Sequence, residues 1–276
     1  MSMGLGLDAH SNFIGLRYSH VTFNASIDYN SQYLEDVYSN DVYNRYELVS
    51  KYHFTPRVYT TAILPYVQNS MVGNTESVQL NSLGDIGVNA FYRLIQASMD
   101  TTARFNHLLD FGMGVSLPTG KYDLAHEGDL VNRNFQAGTG AVNYRLSLNY
   151  ILTYNNWRVG LENNYQLNTK NKHAYKFGNQ YNSVLYLGKL FRFKDITVFP
   201  TVGLYYERGK QHLNDDKLVF NTGGEALLAD LGVQFKWKRY MVWGKYLPVL
   251  YQNYTTDHLS DISGGNRLNV GMRVLF

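Results

Sequence analysis

Arginines and carboxylates in this chain recur at alternate positions of apolar-rich stretches, the spacing that places them on one face of a β-strand. Arg45 and Glu47 stand two apart, Arg158 and Glu162 four apart, and Arg267 and Arg273 six apart. Arg17, Asp85, Arg93, Asp110, Arg145, Glu207 and Asp230 occupy stretches of the same kind. Charges of both signs on strands that face one another offer two kinds of chemistry. One is a polar pore whose mixed charges discriminate among solutes. The other is a network of ion pairs that fills the interior. Both are open at the level of sequence.

Catalytic arrangements are harder to assemble. The chain has no cysteine, which removes disulfides and thiolate metal sites. Ser19 and His20 are neighbours, so on a strand they point to opposite faces and cannot serve each other as nucleophile and base. No spacing among the eight histidines matches a zinc site. We expect no catalytic residue, no bound metal and no cofactor. A formal charge of +3, from 25 basic and 22 acidic residues scattered along the chain, gives no argument for nucleic acid as a partner.

The elements that must position these charges read as strands. Segments at about 12–24, 43–54, 57–68, 84–96, 107–117, 138–153, 156–167, 181–193, 196–208, 225–237, 240–251 and 266–276 alternate apolar with polar residues. Their length suits a tilted crossing of a bilayer. The connections alternate too. Thr55-Pro56, Tyr154-Asn155, Lys194-Asp195 and Lys238-Arg239 are short, whereas 25–42, 69–83, 118–137, 168–180, 209–224 and 252–265 are long and polar. Short turns at one end and long loops at the other define an up-and-down membrane barrel. Tyr52, Tyr154, Trp157, Trp237 and Tyr240 gather beside the short turns, where an interfacial girdle belongs. The last strand alternates Leu268, Val270, Met272, Val274 and Phe276 with Arg267, Asn269, Gly271 and Arg273; Leu275 breaks the pattern.

The fold expected is therefore all-β: a transmembrane antiparallel up-and-down β-barrel of about twelve strands, one domain over residues 1–276. Mean hydropathy of −0.31 is compatible with this, because only every second strand residue meets lipid. A water-soluble sandwich would show the same alternation with the apolar face turned inward. The start, Met1 to Gly6, has no basic n-region ahead of an apolar h-region, so the chain reads as a mature or trimmed form. Residues 1–11 are an N-terminal segment that lies in the periplasm or plugs the lumen. The expected partners are membrane lipid and a small-molecule solute of unknown identity, with the barrel a monomer.

Two further patterns carry expectations. Gly15, Gly87, Gly112, Gly114, Gly160, Gly203, Gly232 and Gly271 fall on the inner face, either to ease curvature or to leave room for the N-terminal segment or an outer loop. Pro65, Pro200 and Pro248 fall within strands, where each deletes a ladder donor and so predicts a bulge or a gap.

Two stretches, Leu83-Gly84-Asp85-Ile86-Gly87-Val88 and Gly112-Met113-Gly114-Val115-Ser116-Leu117-Pro118-Thr119-Gly120-Lys121-Tyr122-Asp123, resemble the signature of Gram-negative outer-membrane proteins similar to the phenol-degradation meta-pathway family and, more distantly, the long-chain fatty-acid channels. The Thr-Gly-Lys within it lacks the spaced glycines and following Ser/Thr of a phosphate-binding loop. The resemblance implies location in the bacterial outer membrane and passive passage of a small solute through a porin-like channel. It supplies no catalytic residues. The alternative is a non-transporting structural or interaction barrel whose long extracellular loops bind a partner.

Overall fold

The computed structural model describes residues 10–96, 105–126 and 128–276. Twelve antiparallel strands form one closed barrel: β1 (Phe13–Ile27), β2 (Val37–His53), β3 (Val58–Gly73), β4 in two pieces (Ser77–Leu83 and Ile86–Ile95), β5 (Phe105–Leu117), β6 (Asn143–Tyr154), β7 (Trp157–Leu167), β8 (Gln180–Lys189), β9 (Ile196–Gly209), β10 (Gly224–Trp237), β11 in two pieces (Tyr240–Leu247 and Val249–Tyr254) and β12 in two pieces (Ser260–Gly264 and Arg267–Leu275). Each strand pairs with the next. Closure is made by β12 on β1, with Phe13 opposite Leu275 and His20 opposite Leu268. Closure joins the first strand to the last, the condition for a sheet in hydrocarbon.

The short turns work because single residues accept left-handed backbone. Asn155, Lys194 and Lys238 each open a tight hairpin at positive φ, near 50°. Next to these turns the aromatic girdle is exposed as expected, with Trp237 stacked on Tyr240 at 5.9 Å and Phe105 on Tyr154 at 4.9 Å. Lys189 lies over the Trp157 ring and Lys238 over that of Trp237. Cations over rings at a membrane rim anchor its height.

The facing of side chains settles the sandwich alternative. Leu16, Leu48, Val88, Met113, Leu185, Leu204, Val242 and Met272 are exposed on the outer wall. Arg17, Glu47, Arg93, Asp110, Glu162, Asp230 and Arg273 are buried inside. Only a bilayer makes that arrangement favourable, since hydrocarbon covers the apolar wall and the barrel encloses the charge. Leu275 joins Phe13, Val49 and Met241 in an internal apolar cluster, which explains its break in the last strand's pattern.

Two expectations change. Several predicted outer loops are partly strand: β2 begins at Val37, β3 runs to Gly73, and Ser77–Leu83 and Ser260–Gly264 extend the wall outward. Polar side chains on both faces hid these extensions, because beyond the lipid neither face needs to be apolar. The inner-face glycines also have another reason. A Cβ at Gly112 would strike the Phe91 ring, one at Gly160 the Tyr186 ring, and one at Gly271 the Trp243 indole, all within 3 Å. Those glycines make room for bulky inward side chains of the neighbouring strand. The idea that the segment from Gly4 packs against them concerns residues outside those described, apart from His10.

All three prolines sit at interruptions. Pro65 pairs unbroken with Glu47 of β2, while its other side faces the break in β4, where the Gly84 amide donates to its carbonyl at 2.9 Å. Through Pro200 the ladder to β10 is continuous, but the one to β8 stops at Gly188 and Thr201. Pro248 divides β11, with a register shift against β10 at Leu227 and Leu228. Each missing donor is placed where a ladder has already ended.

Candidate functional site

The lumen is layered. At the end bearing the short turns, strands β2 to β5 build a packed floor. Arg93 and Asp110, both fully buried, form a two-pronged ion pair with Nε to Oδ1 at 2.8 Å and Nη2 to Oδ2 at 3.2 Å. The Tyr59 hydroxyl donates to the same carboxylate at 2.8 Å, and its ring stacks on Phe91 at 4.8 Å. Lys51 lies over the other part of that ring array, 4.9 Å from the Tyr59 centroid. His10 Nδ1 is 2.8 Å from Arg93 Nη1, so the chain ahead of β1 reaches this floor. Beside it, next to Lys51, Arg273 lies over Phe13 at 4.5 Å.

Above the floor is a belt of three arginines. Glu47 receives Arg17 Nε on one oxygen and Arg45 Nε on the other, the latter at 2.8 Å. Among the described residues, Arg145 meets only neutral oxygens as hydrogen-bond partners, Asn89 Oδ1 at 3.4 Å and Gln166 Oε1 at 3.3 Å. Further round the wall, Ser147, Asn164 and Asn182 pass hydrogen bonds from strand to strand.

The remaining wall, β8 to β11, carries an internal apolar cluster. Val184, Tyr186, Leu190, Phe199, Tyr205, Ala226, Leu228 and Leu247 form its buried cluster. Sequence reasoning missed this, although Val184-Leu185-Tyr186-Leu187 is apolar on both faces and so carried the signal. Charges on this side are paired: Lys245 with Asp230 at 2.6 Å, and Arg267 with both oxygens of Glu207 at 2.7 and 2.5 Å. Arg158 lies over the Phe199 ring at 5.9 Å.

Two outer loops form a roof. Residues 118–126 and 128–142 fold inward and bury Phe135 against Tyr43, Met71, Val78, Leu80 and Val131. The two motif stretches turn out to be a latch for this loop. The Thr119 hydroxyl donates to the Gly84 carbonyl at 2.9 Å, and the Asp85 carboxylate accepts from Gly120 N, Thr139 N and the Thr139 hydroxyl at 3.0, 2.9 and 2.7 Å. Residues 210–223 form the second loop. His212 is buried and shares a hydrogen bond with the Tyr175 hydroxyl at 2.7 Å, while Arg133 of the first loop lies over the Tyr175 ring at 4.9 Å. Burial without a charged partner holds the His212 pKa down to about 4.

Between floor and roof lies a cavity of about 660 Å³. Arg17, Arg45, Glu47, Arg145, Glu162, Glu207 and Arg267 of the predicted lumen set line it. Arg93, Asp110 and Arg273 belong to the floor instead, Asp230 to the side wall with Lys245, and Arg158 to the packing around Phe199. Asp85 is a correction. It is not among the residues lining the cavity, because at the break in β4 its carboxylate is taken up by the latch. Aromatic lining residues Phe23, Tyr43 and Tyr254 carried no signal in sequence, since tyrosine is frequent throughout the chain.

A closed barrel with an apolar exterior and a charged internal cavity defines an outer-membrane β-barrel. A family model described as "Putative MetA-pathway of phenol degradation" matches residues 34–255, and the chain belongs to that family. Among solved structures, an outer membrane channel from Pseudomonas putida F1 is 14% identical, with 98% of this chain and 97% of that chain covered at a TM-score of 0.69. The β-domain of the Bordetella autotransporter Brka is 11% identical over 96% and 100%, at 0.49. The CymD monoaromatic hydrocarbon channel is 9% identical over 100% and 93%, at 0.42. The first likeness shows a shared fold. No curated protein sequence matches the chain.

Proposed function

We propose that this barrel lets a small organic solute cross the outer membrane passively, with the lumenal cavity as the resting place along the path. The cavity itself carries this reading: about 660 Å³, lined by arginines, amides and aromatic rings, inside a wall whose outer face is covered by lipid. That volume falls within the range of small-molecule sites. Family membership and the channel fold support transport over catalysis. The barrel acts as a monomer in this reading. Purified protein in liposomes should admit small organic solutes faster than protein-free liposomes. Liposomes that stay sealed to every solute tried would refute the proposal.

The packed floor favours a second reading, a barrel that passes nothing and presents its loops to a partner. Arg93 and Asp110 are wholly enclosed, and a solute must displace that layer or pass beside it. Flux that persists after the outer loops are trimmed would exclude this alternative.

A further inference from the structure

The cavity is chemically two-ended. On its outer side Phe23 stands edge-on to Tyr43 at 5.8 Å and to Tyr254 at 5.9 Å, giving an aromatic corner. Below it runs the arginine belt, in which Arg17 and Arg45 share the carboxylate of Glu47 and Arg145 bonds to amide oxygens. Arg17 is buried and committed to Glu47. Arg45 keeps 43% of its side chain exposed, and Arg145 has only long contacts to neutral amide oxygens. Arg45, Arg17 and Glu47 lie within electrostatic reach of Arg145, so the belt carries an excess of positive charge. A planar guanidinium fork matches a carboxylate in two-point geometry. An aromatic corner above it accepts a ring by edge or face contact.

We infer that the cavity binds a small aromatic carboxylate, its ring among Phe23, Tyr43 and Tyr254 and its carboxylate on Arg145 and Arg45. This rests on the transport reading for its physiological sense, but binding can be measured without it. Neutral aromatic molecules meet the corner and leave the belt's charge unanswered. Inorganic anions meet the belt and leave the corner empty.

The test is calorimetric titration of the purified barrel in detergent with sodium benzoate and with benzyl alcohol, alongside channel recordings in planar bilayers. Benzoate should bind at least tenfold more tightly than benzyl alcohol, weaken as sodium chloride rises, and lose at least tenfold in Arg145→Gln. Arg145→Lys, which keeps the charge and loses the fork, should fall between. Heat-modifiable migration on gels checks that each variant is folded, and Arg45→Gln serves if Arg145→Gln is not. Reversal potentials in a salt gradient should show anion preference. Equal affinity for benzoate and benzyl alcohol, or undiminished benzoate binding in folded Arg145→Gln and Arg45→Gln, overturns the inference even if the channel conducts. Benzoate binding that depends on these arginines in a barrel that passes no current or solute overturns the transport reading alone.

Discussion

The floor and the belt are built from the same residue types and treat charge in opposite ways. In the floor, Arg93 and Asp110 answer each other fully, are held by Tyr59, and have no exposed surface. In the belt, Glu47 serves two arginines while Arg145 finds only amides, and Arg45 remains open to the cavity. A buried pair without surplus is a structural seal whose loss leaves an uncompensated charge. Open, unevenly matched charge costs the fold little and is available to a solute. Exposure and pairing geometry, and not residue identity, separate structure from function in this lumen.

The largest test of that contrast is in the floor. Asp110→Ala strands Arg93 in the interior and should destabilise the barrel by about 3–5 kcal/mol, as is usual when one partner of a buried pair is removed. Urea unfolding in detergent measures it. A change below 1 kcal/mol would mean that the floor is wet and the contrast false.

The next effect concerns the roof. Asp85→Ala removes three hydrogen bonds to a carboxylate and should weaken the seating of residues 118–142 by on the order of 2 kcal/mol. Limited proteolysis within that loop should accelerate and single-channel conductance should rise. Faster cleavage without a change in conductance would show that the roof lies outside the conducting path.

A pH effect should follow at the second loop. The His212 pKa is lowered from 6.5 to about 4 by burial, so the open loop binds a proton more readily than the closed one. The contribution of neutral His212 is therefore complete above pH 6.5 and is lost as pH falls toward 4. Hydrogen exchange of residues 210–222 should speed up across that window in the native chain and not in His212→Gln.

The smallest effect belongs to the belt. Arg45→Ala should cost less than about 1 kcal/mol, because its partly exposed ion pair is screened and Glu47 keeps Arg17. The same urea assay reads it. A loss matching that of Asp110→Ala would erase the distinction between the two layers.

Much of the architecture was legible in the chain. Period-two alternation in segments such as Ile86–Leu94 and Trp157–Leu167 gave the twelve strands, and loop lengths gave their up-and-down order, because both are local properties of the chain. Pro65, Pro200 and Pro248 marked the ladder breaks for a covalent reason, the missing amide hydrogen. Less of the site was legible. Alternation predicted that Arg93 and Arg145 point inward, yet it could not say that one would be sealed and the other left facing a cavity. Nor could it show that Asp85 turns away to hold Gly120 and Thr139.

By itself, then, the sequence determined which side chains share a face and where the sheet must break, since strand periodicity and proline chemistry act between neighbours. Which inward residues meet was decided only by the register of the paired strands, the closing ladder and the folding of the loops. Register brings Arg93 to Asp110 and seats Phe91 over Gly112, closure sets Phe13 beside Leu275, and an inward-folded outer loop lays Phe135 on Met71.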